Sequence, residues 1–223
     1  MNQNASRLAD LGIYLVTDRE LCGDRGVVET VRLAVAGGAT CVQLRDKHAG
    51  FEEHLDQLAA LAEAIDGRAL LLVNDRLDVA IEARRRGIRF DGVHLGQGDD
   101  AVMRARAELG SGMIVGLSAD TAAHLAALEA MPPGTVDYLG VGVIRPTSTK
   151  PDHPAALGID GFARFAASTE LPCVAIGGIR LGDTAPLRLA GAAGVAVVSA
   201  ICAATEPVQA ARDFADEWNG AIQ

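Results

Sequence analysis

The feature that most constrains this chain is a unit repeated eight times: an apolar run of strand length, a polar or glycine-marked turn, then an Ala/Leu-rich stretch with helical periodicity. The strand-like runs fall at 13–18, 41–45, 70–74, 92–95, 114–118, 138–142, 173–177 and 194–199. Helical patterns lie between and after them at 27–36, 51–65, 77–86, 101–109, 122–131, 159–167, 184–190 and 208–218. Strand alternating with helix throughout calls for a parallel sheet covered by helices. An open doubly wound sheet also uses such units, but typically has fewer strands and a glycine-rich nucleotide loop near the start. Here the first strand leads instead into DREL, residues 18–21. Eight nearly equal units in 223 residues therefore predict one α/β domain, a single (β/α)8 TIM barrel, with about residues 1–10 as an N-terminal extension.

In such a barrel chemistry sits at the C-terminal ends of the strands. The second strand ends Gln43, Leu44, Arg45, Asp46, Lys47, so positions 43, 45 and 47 share one face. Turned toward the helices, an unpaired guanidinium and ammonium would each cost several kcal/mol, so that face is expected in the barrel mouth. The third strand ends in Asn74, Asp75 and Arg76, and the fourth leads to Gln97, Gly98, Asp99 and Asp100. Two carboxylates on neighbouring strands, close to cationic groups, suit a hard Mg²⁺ that bridges to a phosphate; either could instead cap the helix that follows. Ser118, the Gly177–Gly178 pair and Ser199 close strands five, seven and eight. They offer hydroxyls and unhindered N–H groups to a phosphate, or else a tight turn and a helix cap.

Residues 138–150 read YLGVGVIRPTSTK. Gly140 and Gly142 alternate with Leu139, Val141 and Val143, the pattern of a buried strand that another group approaches closely. Pro146 ends it, and Thr147, Ser148, Thr149 and Lys150 follow as three hydroxyls and an ammonium. That set suits an anion, and equally a solvated connection.

With 49% hydrophobic and 22% charged residues the chain can bury a full core. A net charge of −9 without a basic stripe argues against a nucleic-acid or membrane-surface partner, and Arg84, Arg85 and Arg86 read as an exposed helix end. No apolar run approaches the ~18–20 residues of a membrane span, and no signal-like N-terminus is present, so a cytoplasmic protein is expected. Cys22, Cys41, Cys173 and Cys202 contain no CxxC, which excludes a zinc knuckle or redox pair of that kind. His94 reads as a satisfied core histidine, while His48, His54, His124 and His153 show no recognisable partner; none is assigned catalysis.

Taken together, QLRDK (43–47), NDR (74–76), GVHLGQGD (92–99), GLS (116–118), GVGVIRPTSTK (140–150), IGGI (176–179) and VVSAI (197–201) resemble the thiamine-phosphate synthase family over nearly the whole barrel. Each piece is weak alone; the ordered set is specific. The resemblance implies that Gln43, Arg45, Lys47, Asn74 and Lys150 bind a pyrimidine diphosphate. It implies further that Asp75 and Asp99 hold one Mg²⁺ per subunit and that Ser118 lies beside the reacting pyrimidine. Thr147, Thr149, Gly178, Val198 and Ser199 would bind the thiazole phosphate. The implied reaction joins 4-amino-5-hydroxymethyl-2-methylpyrimidine diphosphate to 4-methyl-5-(2-phosphoethyl)thiazole, giving thiamine phosphate and pyrophosphate. Arg45, Lys47 and Lys150, with Mg²⁺, would act on charge growing on the leaving group, and no protein nucleophile is needed. The implied partners are these two small molecules, with neither nucleic acid nor membrane, and a homo-oligomer is compatible with the resemblance.

The chain departs from the family pattern at Asp120, where His is common, and at Val143 and Arg145, where Pro and an aromatic are favoured; Arg145 could add a phosphate contact. Three other readings stay open. A thiazole tautomerase of the related subgroup is expected to lack the full QLRDK and TSTK sets and to carry a His near Ser118. An aldolase-type barrel would use Lys47 or Lys150 as a Schiff-base amine. A phosphate-binding barrel would hold both substrates without turnover.

Overall fold

A computed structural model of the chain describes residues 4–8, 11–96, 99–147 and 155–221, with Ala5, Ser6 and Asp99 by their backbone alone. The first half comprises α1 (Ala5–Leu8), β1 (Gly12–Val16), α2 (Arg19–Cys22), α3 (Val27–Ala36), β2 (Ala39–Leu44), α4 (Phe51–Ile65), β3 (Leu70–Asn74), α5 (Leu77–Arg85), β4 (Gly92–Leu95) and α6 (Asp99–Leu109). The second half comprises β5 (Ile114–Ser118), α7 (Ala122–Glu129), β6 (Tyr138–Gly142), α8 (Gly158–Ala166), β7 (Cys173–Ile176), α9 (Thr184–Leu189), β8 (Ala192–Val197), α10 (Ser199–Cys202) and α11 (Pro207–Gly220). Each strand pairs in parallel with the next, and β8 closes on β1.

Strands β3 to β6 and helices α3 and α4 have the bounds that periodicity predicts. The differences lie in the short helices. DREL is a capped turn of helix: Asp18 ends the preceding segment at extended φ/ψ and its carboxylate accepts from the Leu21 N–H at 3.1 Å. Ser199, expected to end a strand, begins α10.

The period of two sorts the strand side chains into two compartments. Outward-facing Ile13, Leu15, Val42, Leu44, Leu71, Val73, Val115 and Leu139 pack against helix residues such as Leu58, Leu61, Val79, Phe162 and Trp218 in one shell. Inward-facing Tyr14, Cys41, Leu72, Ile114, Tyr138, Val174 and Ala196 fill the barrel, joined by Leu8 and Leu11 at its N-terminal end. Burying such a side chain contributes about 1.5–3 kcal/mol.

Glycines make room inside. A Cβ at Gly116 would overlap the Tyr138 ring, and one at Gly140 would lie 2.9 Å from His94 Cε1. The close approach that the glycine spacing of β6 foreshadows is thus made at Gly140 by the imidazole of His94. All four cysteines are buried and unpaired as disulfides. Among the described residues no helix is long and apolar enough to cross a membrane.

Candidate active site

The C-terminal ends of the strands open on a cavity of about 400 Å³, an ordinary size for a small-molecule site. The alternation along β2 holds: Gln43, Arg45 and Lys47 line the cavity, while Leu44 sits in the outer shell. Asp46 leaves the line of the strand to accept from the His48 and Ala49 N–H groups at 2.9 and 3.0 Å and from Gln57 Nε2 at 3.0 Å. Burial pushes its pKa up, but these hydrogen bonds outweigh it and hold the carboxyl below its ordinary range. The turn that carries Lys47 is thereby fixed from behind. Arg45 stays on the cavity side, with Nη1 3.8 Å from Asp18 Oδ2.

Asn74 and Asp75 line the same cavity from β3. Asp75 adopts φ +58°, a left-handed conformation that carboxylate and amide residues tolerate better than most. Its Oδ1 accepts from the Gly96 N–H at 2.9 Å and its Oδ2 from Asn74 Nδ2 at 2.8 Å. Each oxygen retains lone-pair capacity beyond these bonds, so the hard oxygen set suits Mg²⁺, which is commonly bound by one or two carboxylates plus substrate phosphate. Asp99 opens α6 just after β4, which places its backbone near the same rim; its side chain lies outside the described residues, as do Gln97 and Gly98.

Across the cavity stand Ser118, Thr147, Gly178, Val198 and Ser199. Gly178 is at φ +68°, and a Cβ there would come 2.7 Å from the Arg145 carbonyl oxygen. Loop β6–α8 therefore lies directly on the glycine turn after β7. Arg145 is not turned to a phosphate: its Nε and Nη2 donate to the two oxygens of Asp183 at 2.9 and 2.6 Å. Arg145 holds the Asp183 carboxyl below its ordinary pKa range. The Arg145 fork thus braces the two loops against each other. Ser148, Thr149, Lys150 and His153 lie outside the described residues.

Two groups of the site were not expected from sequence. His124 has a partner, with Nδ1 2.9 Å from Asp120 Oδ1, and both line the cavity. An acid four residues before a His at a helix start was the available signal. His94 is satisfied, as expected, but it also lines the cavity, bonded to Tyr138 Oη at 2.8 Å and Ser118 Oγ at 3.0 Å. Tyr138 in turn meets Tyr14 Oη at 2.8 Å, and Tyr14 accepts from Gln43 Nε2 at 2.8 Å.

Comparisons with known proteins identify the family. Residues 13–201 match the family model described as thiamine monophosphate synthase. The chain is 43% identical over 211 residues to a thiamine-phosphate synthase of Psychrobacter sp., covering 95% of this chain and 97% of that one. Identity to the thiamine-phosphate synthase of Xanthobacter autotrophicus is 48%, over 91% of this chain and 93% of that one. Among solved structures, a thiamine phosphate pyrophosphorylase from Pyrococcus furiosus superposes with a TM-score of 0.81 at 30% identity, covering 97% of this chain and 100% of that one. The barrel, the order of its strand ends and these relatives lead to one conclusion: the chain belongs to the thiamine-phosphate synthase family.

Proposed function

We propose that this transferase joins 4-amino-5-hydroxymethyl-2-methylpyrimidine diphosphate to 4-methyl-5-(2-phosphoethyl)thiazole, releasing pyrophosphate and forming thiamine phosphate. The observation that carries the reading is the cavity itself, where Arg45 and Lys47 face Ser118, Thr147 and the Gly177–Gly178 turn across about 400 Å³. One side offers cations to a diphosphate, the other hydroxyl and backbone donors to a single phosphate.

The carbon–oxygen bond to the diphosphate breaks with its electron pair, leaving a pyrimidinylmethyl cation. The thiazole nitrogen then supplies the pair for the new carbon–nitrogen bond, so no proton transfer is required. Arg45, Lys47 and Lys150 stabilise charge that grows on the leaving oxygens, an interaction stronger in the transition state than in the ground state. Gln43 and Asn74 orient the pyrimidine, and Ser118 lies beside its reactive carbon. Thr147, Thr149, Gly178, Val198 and Ser199 hold the thiazole phosphate. Asp75 and Asp99 would hold Mg²⁺, which when bound neutralises the departing pyrophosphate. The same reading places the enzyme in the cytoplasm.

The test incubates the pure protein with both phosphorylated heterocycles and Mg²⁺ and follows pyrophosphate and thiamine phosphate together. Folded protein that yields neither product refutes the proposal. Two histidines in the cavity, His94 with Nε2 3.0 Å from Ser118 Oγ and His124, favour a thiazole tautomerase as the second reading. That activity would convert a thiazole phosphate without the pyrimidine diphosphate and without releasing pyrophosphate.

A further inference from the structure

Five side chains from five strands form one hydrogen-bonded line through the barrel. It runs from Gln43 Nε2 to Tyr14 Oη (2.8 Å), to Tyr138 Oη (2.8 Å), to His94 Nδ1 (2.8 Å), and from His94 Nε2 to Ser118 Oγ (3.0 Å). Both of its ends, Gln43 and Ser118, line the cavity. Gln43, Tyr14, Tyr138 and His94 are buried. Burial also pushes both tyrosine pKa values well above their ordinary range, so the phenols keep their protons.

With Gln43 Nε2 on Tyr14, the inventory of donors gives the line a direction. The Gln43 amide nitrogen can only donate, so Tyr14 accepts from it and passes its own single proton to Tyr138. Tyr138 then donates to His94 Nδ1, and the neutral ring carries its proton on Nε2, toward Ser118. The Cys41 thiol, which also meets Tyr14, is a weak acceptor and competes poorly. Rotating the Gln43 amide alone would set its oxygen against the Tyr14 oxygen with no proton between them. Restoring the bonds would require every member to reverse together. Because the two arms of a carboxamide diverge, fixing Nε2 on Tyr14 turns Oε1 away from it.

We propose that this line is a specificity device: it locks the Gln43 amide with its carbonyl as acceptor, so that the site takes an aminopyrimidine and rejects the oxo analogue. An exocyclic amino group brings an N–H to that carbonyl, whereas an oxo group brings a second oxygen. Tyr14, Tyr138 and His94 are positioning residues that act through Gln43 and Ser118. The inference rests on the reading of this cavity as the site of an aminopyrimidine diphosphate.

The experiment measures kcat/KM for 4-amino- and 4-oxo-2-methylpyrimidine diphosphate in the wild type, Tyr14→Phe and Tyr138→Phe. A site built to hydrogen-bond a substrate group can reject the analogue lacking it by as much as ~10⁴–10⁵, and the wild type is expected to prefer the amino compound by at least ~10². Tyr14→Phe, which releases the amide, should lower that preference by about tenfold or more. Tyr138→Phe does not touch Gln43, yet should lower it in the same direction by a smaller factor. A packing role would instead depress both substrates equally and leave the ratio unchanged. An unchanged ratio in Tyr138→Phe overturns the line as a unit; an unchanged ratio in both variants overturns the proposal. If Tyr14→Phe does not fold, Tyr138→Phe alone decides. If the wild type turned over neither compound, the functional reading would fail, and calorimetric Kd values for the two diphosphates in the same variants would still read the preference.

Discussion

Asp75 offers the sharpest test of the proposed metal site, because its backbone separates a loss of charge from a loss of fold. The residue is held at φ +58°, where Asn is nearly as comfortable as Asp but Ala is strained by about 1–2 kcal/mol. Its two oxygens accept from the Gly96 N–H at 2.9 Å and Asn74 Nδ2 at 2.8 Å. Asp75→Asn keeps an oxygen for Gly96 and lets the Asn74 amide rotate to meet the new one, so stability should stay within about 1 kcal/mol of wild type. Asp75→Ala loses both bonds and gains the strain, an expected cost of about 2–5 kcal/mol. For a chain of this length that is a fall in Tm of roughly 4–20 °C, against at most a few degrees for the Asn variant. The charge term acts in the other direction of the comparison. A carboxylate about 4 Å from a unit positive charge is worth about 4 kcal/mol at an effective dielectric of about 20, and a third of that is already tenfold in affinity. Asp75→Asn should therefore raise the Mg²⁺ concentration for half-maximal pyrophosphate release by about tenfold or more while unfolding almost as the wild type does. The assay is initial velocity against Mg²⁺ at saturating substrates, with urea unfolding of the same preparations. A wild-type metal dependence in the Asn variant would assign Asp75 to holding the β3–α5 turn and refute its role as a ligand.

Two further expectations follow from groups around the site. His54 is fully buried on α4, both ring nitrogens lack a hydrogen-bond partner among the described residues, and burial lowers its pKa. Its neutral form is favoured in the fold, so stability is full above the ordinary His pKa of about 6.5 and declines as pH falls below it. His54→Leu should stabilise by about 1–3 kcal/mol and flatten the fall in urea midpoint between pH 7.5 and 5.5; equal slopes in the two proteins would show that His54 does not titrate on unfolding. Gly178→Ala puts a Cβ 2.7 Å from the Arg145 carbonyl oxygen and 3.0 Å from that of Pro146 at a backbone φ of +68°. It should raise KM for the thiazole phosphate about tenfold more than KM for the pyrimidine diphosphate, and equal changes in both would remove Gly178 from the phosphate grip.

Much of this architecture was legible in the sequence because it rests on short-range periodicity. The strand bounds of β3 to β6 follow from apolar runs closed by polar residues, and the cavity-facing set Gln43, Arg45 and Lys47 follows from a period of two. The four-residue helices α1, α2 and α10 were not legible, since fewer than two turns leave no helical period to detect. The Arg145–Asp183 brace spans 38 residues, and no local pattern distinguishes a paired guanidinium from one waiting for phosphate.

The line from Gln43 to Ser118 escaped for a deeper reason. Its links join residues 29, 124, 44 and 24 positions apart, and the longest, Tyr14 to Tyr138, reaches from β1 across the closed barrel to β6. Within its own strand Tyr14 sits among Ile13, Leu15 and Val16, and nothing in that run marks the phenol as polar machinery. Parity is what connects them. Once Gln43 is placed inward, the parallel register sets β1, β3 and their neighbours in turn, until Tyr138 and His94 face the same interior. An inward tyrosine must then find a partner, because a buried hydroxyl left unmade costs about 1–3 kcal/mol. Two such tyrosines, an imidazole and an amide in one closed interior meet that demand largely through each other. The polar line is thus a consequence of closing these eight strands, and its two ends emerge where the strand ends form the cavity.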